Sequence, residues 1–344
     1  MEICSQPDAL RRAAISLSEQ RSELELVSEA HDRAATIVFT GMGSSYDACY
    51  PALNDLAGRG VPAIMVDTAE LLHFRRAILG PRTLVVIVSQ SGESVEIVKL
   101  ANAIEAQRGR PFVVSVTNGL VNELASRADV RLDSAAGRET GPSTLTFSAA
   151  LTILSGVARL LAGESAGTAI DRTRTAAEGA ALAAERLLED PEAEATRLAE
   201  LGRAGVLVVL GRGPARAAAE MGALLLKECG VMAESLESAA FRHGPLELAG
   251  PGMSAIVLAT EPETRRLDLG LAADLIASGA EVLVITPDGE EPKGTRGVAT
   301  GVIDRALMSA VSIIPIQLLA WRLAVARGRT PGMYTRASKV TTYE

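Results

Sequence analysis

The sequence predicts an α/β protein made of two tandem, doubly wound parallel sheets. Three observations predict this fold. Short apolar runs alternate with longer helical stretches, the runs are continuously apolar rather than alternating, and the whole pattern occurs twice within 344 residues. Parallel strands covered by helices on both faces have such continuous runs, and strands that alternate with helices are typical of doubly wound sheets.

The repeat is visible at one fixed offset. The turn Gly41-Met42-Gly43 is matched 170 positions later by Gly211-Arg212-Gly213, and the same offset pairs His73 with His243. It continues without a gap to two apolar runs, at 111–116 and 281–286, each of which is followed by a turn. An offset held over this distance indicates two copies of one α/β unit.

The predicted elements follow from these runs. In the first copy the strands are Thr36–Phe39, Ala63–Val66, Leu84–Val88, Phe112–Val116 and Val130–Leu132. In the second copy they are Val206–Leu210, Ala233–Leu236, Ala255–Ala259 and Val282–Ile285. We expect linking helices in 176–201 with a break at Asp190-Pro191, one long apolar helix over 305–327, and a loop-like tail. The predicted segments are a first domain (1–170), a helical linker (171–200), a second domain (201–328) and a tail that contributes to the active site (329–344).

Composition excludes several classes of protein. Lys and Arg number 34 against 42 Asp and Glu, a net charge of -8, and no basic run is present, so we expect no nucleic-acid partner. The apolar stretch Ala306–Trp321 is short for a membrane span and contains Pro315 and Gln317, so it predicts a buried helix and no membrane partner.

The cysteines and histidines argue against disulfides and metals. Three widely spaced cysteines, at positions 4, 49 and 229, do not form a disulfide framework or a zinc site and predict a cytoplasmic protein. Three histidines and no ligand cluster predict no metal.

Two hydroxyl-rich turns are the strongest chemical signal. The run Ser89-Gln90-Ser91-Gly92-Glu93-Ser94 follows an apolar strand and precedes a helix, and Ser44-Ser45 follows another strand of the same copy. Hydroxyls and amides at strand ends and helix starts can hold a phosphate. The other interpretation, a capped helix start with serines that bind nothing, stays open. A dinucleotide site at Gly41 is disfavoured because Tyr46 stands where a third glycine is needed.

Three further residues have side chains suited to sugar chemistry. Glu228 ends a helical run, His243 lies in a turn before Gly244-Pro245, and Lys339 lies in the tail. A carboxylate can move a proton between neighbouring carbons, an imidazole can open a sugar ring, and an amine can form a Schiff base. A solvated glutamate, a structural histidine and a frayed terminus are the alternatives.

As a set, these motifs resemble the tandem sugar-isomerase (SIS) domain family, and specifically the isomerase half of glucosamine-6-phosphate synthase. The resemblance rests on Gly43–Tyr46, Ser89–Ser94, Leu226–Glu228, His243–Pro245 and Ala337–Thr341. It implies flavodoxin-like domains, a hexose 6-phosphate ligand, no cofactor and a homodimer in which the histidine loop reaches into the partner's active site. It implies catalytic roles for Glu228, His243 and Lys339, phosphate binding by Ser44, Ser45, Ser89, Gln90, Ser91 and Ser94, and substrate binding by Gly43, Ser143 and Ser338.

The chain departs from the synthase pattern in three respects. The 344 residues leave no room for the glutaminase domain, and Leu225 and Leu145 stand where the synthase has lysines. The resemblance therefore implies a glutamine-independent enzyme that converts an amino-sugar 6-phosphate, glucosamine 6-phosphate first among them, to fructose 6-phosphate and ammonia. A fructosamine-6-phosphate deglycase, a simple aldose–ketose isomerase and a non-catalytic sugar-phosphate sensor remain alternatives.

Overall fold

The computed structural model describes residues 1–203, 205–336 and 338–343. The chain divides into two compact units. The first unit contains Asp8–Glu178 and the tail from Tyr334, and the second unit contains Met1–Pro7 and Gly179–Met333. The four segments predicted from sequence stay a prediction.

Each unit contains one five-stranded parallel sheet. In the first unit the strands are β1 Thr36–Gly41, β2 Ala63–Asp67, β3 Thr83–Val88, β4 Phe112–Thr117 and β5 Val130–Asp133, in the order β2-β1-β3-β4-β5. In the second unit they are β6 Val206–Gly211, β7 Ala233–Glu237, β8 Met253–Leu258, β9 Glu281–Thr286 and β10 Arg296–Ala299, in the order β7-β6-β8-β9-β10. All described pairings are parallel. Both orders are the flavodoxin-like 2-1-3-4-5 order, so the predicted fold class is confirmed.

The nine predicted strands are present, and β10 is the one that the sequence pattern missed. Its four residues Arg296, Gly297, Val298 and Ala299 contain one buried side chain, that of Val298. β10 adds to the edge of the sheet beside β9 alone, so it has no continuous apolar run to reveal it.

Helices flank the strands in both units. They are α1 Gln6–Glu19, α2 Arg21–His31, α3 Ser44–Asp47, α4 Tyr50–Gly58, α5 Thr68–Glu70, α6 Val95–Glu105, α7 Glu123–Arg127, α8 Leu145–Leu161, α9 Ala166–Leu187, α10 Pro191–Leu198, α11 Arg216–Glu228, α12 Ser238–Arg242, α13 Arg265–Ala277, α14 Met308–Ser312 and α15 Ile314–Ala326. Short 3-10 or π turns cover Glu2–Ser5, Leu71–Arg75, Arg76–Ile78, Ala199–Arg203, Gly213–Ala215, Pro245–Leu248 and Arg305–Leu307. The predicted break is confirmed, because Asp190 caps α10 by accepting a hydrogen bond from the N–H of Ala193.

The predicted long helix over 305–327 is present as the helical segment Arg305–Ala326, with one interruption. The segment forms a 3-10 turn followed by α14 and α15, which are separated at Ile313, and Pro315 lies in the first turn of α15. Proline has no N–H to donate to the preceding turn, so it is placed at a helix start. By length and composition Arg305–Ala326 is apolar enough to span a membrane, but 83% of its most apolar window is buried inside the protein. This burial is expected of a core helix.

The first turn after a strand has a glycine with a positive φ at the matching position in both units. Gly43 and Gly213, which are paired by the offset, both have a φ of 50°. The preceding glycine is also required, since a Cβ on Gly41 would lie 2.9 Å from the backbone of Ser45 and Tyr46. The two glycines let α3 begin directly at the end of β1 and hold Ser44 and Ser45 at the sheet edge.

Candidate active site

A polar pocket lies at the carboxyl ends of β1, β3 and β4 in the first unit. Its walls come from the turns after these strands, from the loop after β5 and from the start of α8. They are Ser44, Ser45, Val88, Ser89, Gln90, Val116, Thr117, Asn118, Ser134, Thr146, Phe147 and Ala150. Ligands of open parallel sheets bind at this edge, so the predicted hydroxyl turns meet where a phosphate is expected.

The loop 89–94 is held in shape by its own hydroxyls. The Gly92 N–H donates to Ser89 Oγ at 3.0 Å, and the Glu93 N–H donates to Ser91 Oγ at 3.1 Å. Gly92 has a φ of 66°, and a Cβ there would lie 2.0 Å from Asn122 Oδ1. Glycine is therefore required, and the loop is fixed before any ligand arrives.

The remaining predicted phosphate ligands lie around this loop. Ser94 is the N-cap residue of α6, and its side chain makes no cap hydrogen bond. Ser44 Oγ donates to Ser143 Oγ at 2.9 Å, which brings the predicted substrate-binding Ser143 to the pocket wall. Ser91 and Ser94 are not among the pocket-lining residues, and the phosphate roles of the six residues stay predictions.

The pocket is narrow, with about 10 Å³ of free volume. That is about the room of one water molecule, and a phosphate group is larger. A phosphate at this edge would therefore replace the Ser44–Ser143 hydrogen bond with bonds to its own oxygens.

The C-terminal tail is anchored beside the pocket by Lys339 and Thr341. Lys339 Nζ donates to Glu139 Oε2 at 2.5 Å and to the Gly141 carbonyl at 2.7 Å. The Val95 N–H, at the start of α6, donates to the Thr341 carbonyl at 3.0 Å. Ser338 is exposed and donates to the Val340 carbonyl, so its hydroxyl is directed to the tail itself.

Glu139 connects the tail to the pocket wall. Its side chain is fully buried and accepts hydrogen bonds from the backbone N–H and the hydroxyl of both Thr144 and Thr146. Thr146 lines the pocket. The buried carboxylate therefore holds the start of α8 and the tail lysine in one network.

Sequence reasoning missed Glu139 and several pocket residues. Thr117 ends β4, Asn118 directly follows it, and Ser134 directly follows β5, so the rule that found Ser89 after β3 also applied to this edge. Asn118 also closes the loop after β5, because its side chain accepts from the Ala136 N–H and donates to the Gly137 carbonyl. Glu139 gave no signal of its link to the tail, since Lys339, its charged partner, lies 200 positions away.

Glu228 is the last residue of α11 in the second unit and is half-buried. The Arg329 guanidinium donates to its carbonyl at 3.4 Å. Burial and, next, the Glu228 charge raise the pKa of the neighbouring Cys229 to about 11. The surroundings of Glu228 thus keep the adjacent thiol in its neutral form.

His243 lies on an exposed turn that is anchored on its N-terminal side. Phe241 is fully buried, and Arg242 forms an ion pair with Asp274 at 2.7 Å. Gly244 follows with a φ of 129°, a conformation that favours glycine. The turn therefore presents the imidazole to the outside of its own unit.

The polar pocket of the first unit, which we name the serine cup, is lined by hydroxyls that the second unit does not repeat. At the offset of 170, Ser44 and Ser45 correspond to Pro214 and Ala215, and Ser91 corresponds to Glu261. Glu261 is 3% exposed, pairs with Arg305 at 2.7 Å, and its pKa is raised by burial. A buried carboxylate repels a phosphate, so this edge of the second sheet is unsuited to the same ligand.

Leu145 and Leu225, which stand where the resemblance to the synthase implies lysines, are buried. Leu145 packs with Ala9, Ala13, Ala136 and Ala149 in an apolar cluster, and Leu225 is 4% exposed. A lysine at position 145 would have to bury its ammonium group in that apolar cluster or turn its side chain out of the cluster. Among the residues that the structure describes, no group of three or more His, Cys, Asp and Glu side chains could hold a metal ion.

Comparisons with known proteins identify related sequences. The chain is 30% identical to the glutamine–fructose-6-phosphate aminotransferase (isomerizing) of Pyrobaculum aerophilum and 33% identical to that of Aeropyrum pernix, in both cases over 100% of this chain and 57% of the relative. The chain thus spans little more than half the length of these curated relatives.

Solved structures share the fold. The C-terminal domain of glucosamine-fructose-6-phosphate aminotransferase from Francisella tularensis matches with a TM-score of 0.85 at 21% identity, over 96% of both chains. Glucosamine-6-phosphate deaminase from Thermotoga maritima matches with a TM-score of 0.70 at 19% identity, over 96% of this chain and 99% of that one. The SIS domain family itself matches residues 32–159 and 200–327, which correspond to the two sheets with their helices. The chain therefore belongs to the SIS domain family.

Proposed function

We propose that this protein is a phosphosugar enzyme of the isomerase type that acts on an amino-sugar 6-phosphate without glutamine. Its proposed substrate is glucosamine 6-phosphate, and its products are fructose 6-phosphate and ammonia. The names of its relatives support this class, since they include an isomerizing aminotransferase and a glucosamine-6-phosphate deaminase.

One observation carries the proposal. Hydroxyls and amides at three neighbouring strand ends form a cup, and a buried carboxylate holds a lysine amine beside the wall of that cup. A phosphate cup fixes one end of a sugar phosphate, and an amine near it can engage the carbonyl of the open chain. A sensor needs the cup but has no use for the amine.

The proposed reaction divides among three side chains. His243 promotes ring opening to the C1 aldehyde, whose oxygen Lys339 engages as a hydrogen-bond donor. Glu228 removes the C2 proton and returns it to C1, while the C1 oxygen gains a proton and the C2 amine loses one, so that C1 becomes a hydroxymethyl carbon and C2 an imine. Water then adds to the imine, ammonia leaves, and the C2 ketone of fructose 6-phosphate remains. Proton transfer by a positioned side chain typically accelerates a reaction by about 10²–10⁴-fold.

The leucines at 145 and 225 support the hydrolytic direction. Both are buried apolar residues, and neither can carry an ammonium group or transfer a proton. An enzyme that adds nitrogen to a ketose must bind and activate an amine, whereas hydrolysis of an imine consumes water.

We further propose a cytoplasmic homodimer in which the exposed His243 turn serves the active site of a second copy.

Proton and carbon NMR in heavy water with glucosamine 6-phosphate tests the proposal, with ammonia assayed in parallel. Fructose 6-phosphate with an equal amount of ammonia supports it. Deuterium uptake at C2 without ammonia would replace it by a deglycase or a simple isomerase. Saturable binding without exchange would replace it by a sensor. The variant E228Q, which should keep binding and lose exchange, is the matched control.

A further inference from the structure

A second cleft lies at the amino ends of the strands of the first sheet, opposite the serine cup. It has a volume of about 340 Å³, and its walls come from the end of α2 and from the segments that lead into β3, β4 and β5. They are Ala30, Arg33, Ala34, Pro81, Arg82, Thr83, Arg110, Pro111, Phe112 and Asp129. Small-molecule pockets typically have about 300–1,000 Å³, so the cleft is large enough for a metabolite.

The charge of this cleft opposes the charge of the chain. Three arginines and one aspartate line it, whereas the whole protein has a net charge of -8. Arg110 is fixed by a bidentate pair with Asp129, which also accepts the Val113 N–H at 2.8 Å. The aspartate is thereby occupied, and the lining keeps an excess of positive charge.

Two of the arginines are available to a ligand. Within the described part of the chain, the side chains of Arg33 and Arg82 form no hydrogen bond and no ion pair, and both residues are exposed. The carbonyls of Ser28, Ala30 and His31 at the adjoining end of α2 accept backbone N–H groups, and the arginines offset the remaining negative end of the helix dipole. Guanidinium groups bind phosphate oxygens with paired donors, and Phe112 offers a partly exposed ring beside them.

We propose that this cleft, which we name the arginine cleft, binds a small phosphorylated metabolite that carries at least two negative charges. It is distinct from the serine cup, since the two lie at opposite ends of the same strands. Strands of six residues separate them by about 20 Å, which exceeds the Debye length of about 8 Å at physiological salt. Either site can therefore be occupied and tested without direct repulsion from the other.

Calorimetric titration with inorganic pyrophosphate tests the proposal on three variants of the full chain. R33E/R82E reverses the two available arginines and should weaken binding at least 10-fold. R76E/R266E, which reverses two exposed arginines that line neither site, has the same net charge and should bind as wild type. S44A/S89A alters the serine cup and should also retain pyrophosphate binding.

The outcomes separate the two sites. Loss of binding in R33E/R82E alone supports the arginine cleft, whatever the activity of the enzyme is. Loss in S44A/S89A with retention in R33E/R82E would assign pyrophosphate to the serine cup and overturn the proposal. Equal weakening of pyrophosphate binding in both arginine variants would attribute the effect to net charge and overturn the proposal. A wild-type protein that does not bind millimolar pyrophosphate would also overturn it.

Discussion

Lys339 Nζ lies 2.5 Å from Glu139 Oε2, although 200 positions separate the two residues along the chain. The carboxylate is fully buried, while the lysine side chain is 20% exposed. The buried partner also holds Thr144 and Thr146, so loss of Glu139 and loss of Lys339 are not equivalent.

We expect K339M to destabilise the protein more than E139Q does. Removing one partner of a buried ion pair typically costs about 3–5 kcal/mol because it leaves an uncompensated buried charge, and K339M leaves the fully buried Glu139 carboxylate without its cationic partner. E139Q removes that buried charge and keeps an amide oxygen that can accept from the threonines, while the Lys339 ammonium that it leaves behind is partly exposed to water. Urea unfolding measures the difference, and both variants should speed trypsin cleavage after the exposed Arg336. Equal unfolding free energies for the two variants would contradict the asymmetric role of Glu139.

We expect S44A to weaken binding of fructose 6-phosphate by about 10-fold or more, because a hydrogen bond to a charged group contributes about 1.5–3 kcal/mol. Ser44 is half-buried at the pocket wall, so stability should change little. Calorimetry measures the affinity, and S22A, an exposed serine on α2, is the matched control. Wild-type affinity in S44A would remove Ser44 from the phosphate site.

We expect G92A to abolish phosphate binding and to destabilise the fold. The new methyl group would collide with Asn122, and the φ of 66° disfavours a side chain. G60A is the control, since Gly60 has a similar φ of 77° and nothing within 4 Å of its Cβ position. The unfolding temperature without fructose 6-phosphate measures the loss of stability, and its rise on adding fructose 6-phosphate measures binding. If G92A and G60A lose the same stability and bind alike, the positive φ accounts for the loss of stability and the collision with Asn122 contributes nothing.

We expect E228Q to lose about 10²–10⁴-fold in turnover of the proposed substrate while keeping its affinity. The amide has nearly the shape of the carboxylate but cannot remove a carbon-bound proton. Steady-state kinetics together with calorimetry distinguish the two effects. A parallel loss of affinity would indicate a binding role for Glu228.

Cys229 should resist alkylation until strongly alkaline pH. Burial raises its pKa to about 11, so the folded state favours the neutral thiol. The stability that this preference contributes is present below the unfolded thiol pKa of about 8.5 and is lost as pH rises toward 11. Iodoacetamide labelling followed by mass spectrometry, with the exposed Cys4 as the internal reference, measures this onset. E228Q should lower the onset, because the Glu228 charge is the second cause of the shift; an unchanged onset would argue against that cause.

Much of the fold could be predicted because most strands are continuous apolar runs in the sequence. Apolar runs such as Thr83–Val88 are buried on both faces, and that burial is what fills them with Val, Ile and Leu. β10 lacks such a run because it lies at an edge, and the interruption at Ile313 was not predicted because the apolar stretch continues through it. Sequence patterns report burial well and backbone continuity less well.

The serine cup could be predicted for a related reason. Hydroxyl runs directly follow β1 and β3, and parallel strands bring their carboxyl ends to one edge. The role of Glu139 could not be predicted, because only folding brings its charged partner, Lys339, close to it. The arginine cleft was missed because Arg33, Arg82 and Arg110 come from three separate segments and form no motif.

The presence of Pro214, Ala215 and Glu261 where the first unit has serines bears on the ancestry of the chain. A freshly duplicated gene encodes two identical halves, so one half is at first redundant for holding phosphate. Once the first half alone performs that task, the second half accepts replacements that would otherwise inactivate the protein. An ancestor with a single half would have carried one cup per half, so a symmetric pair of such halves would have had two cups, and replacements like those at 214, 215 and 261 would have removed one of them.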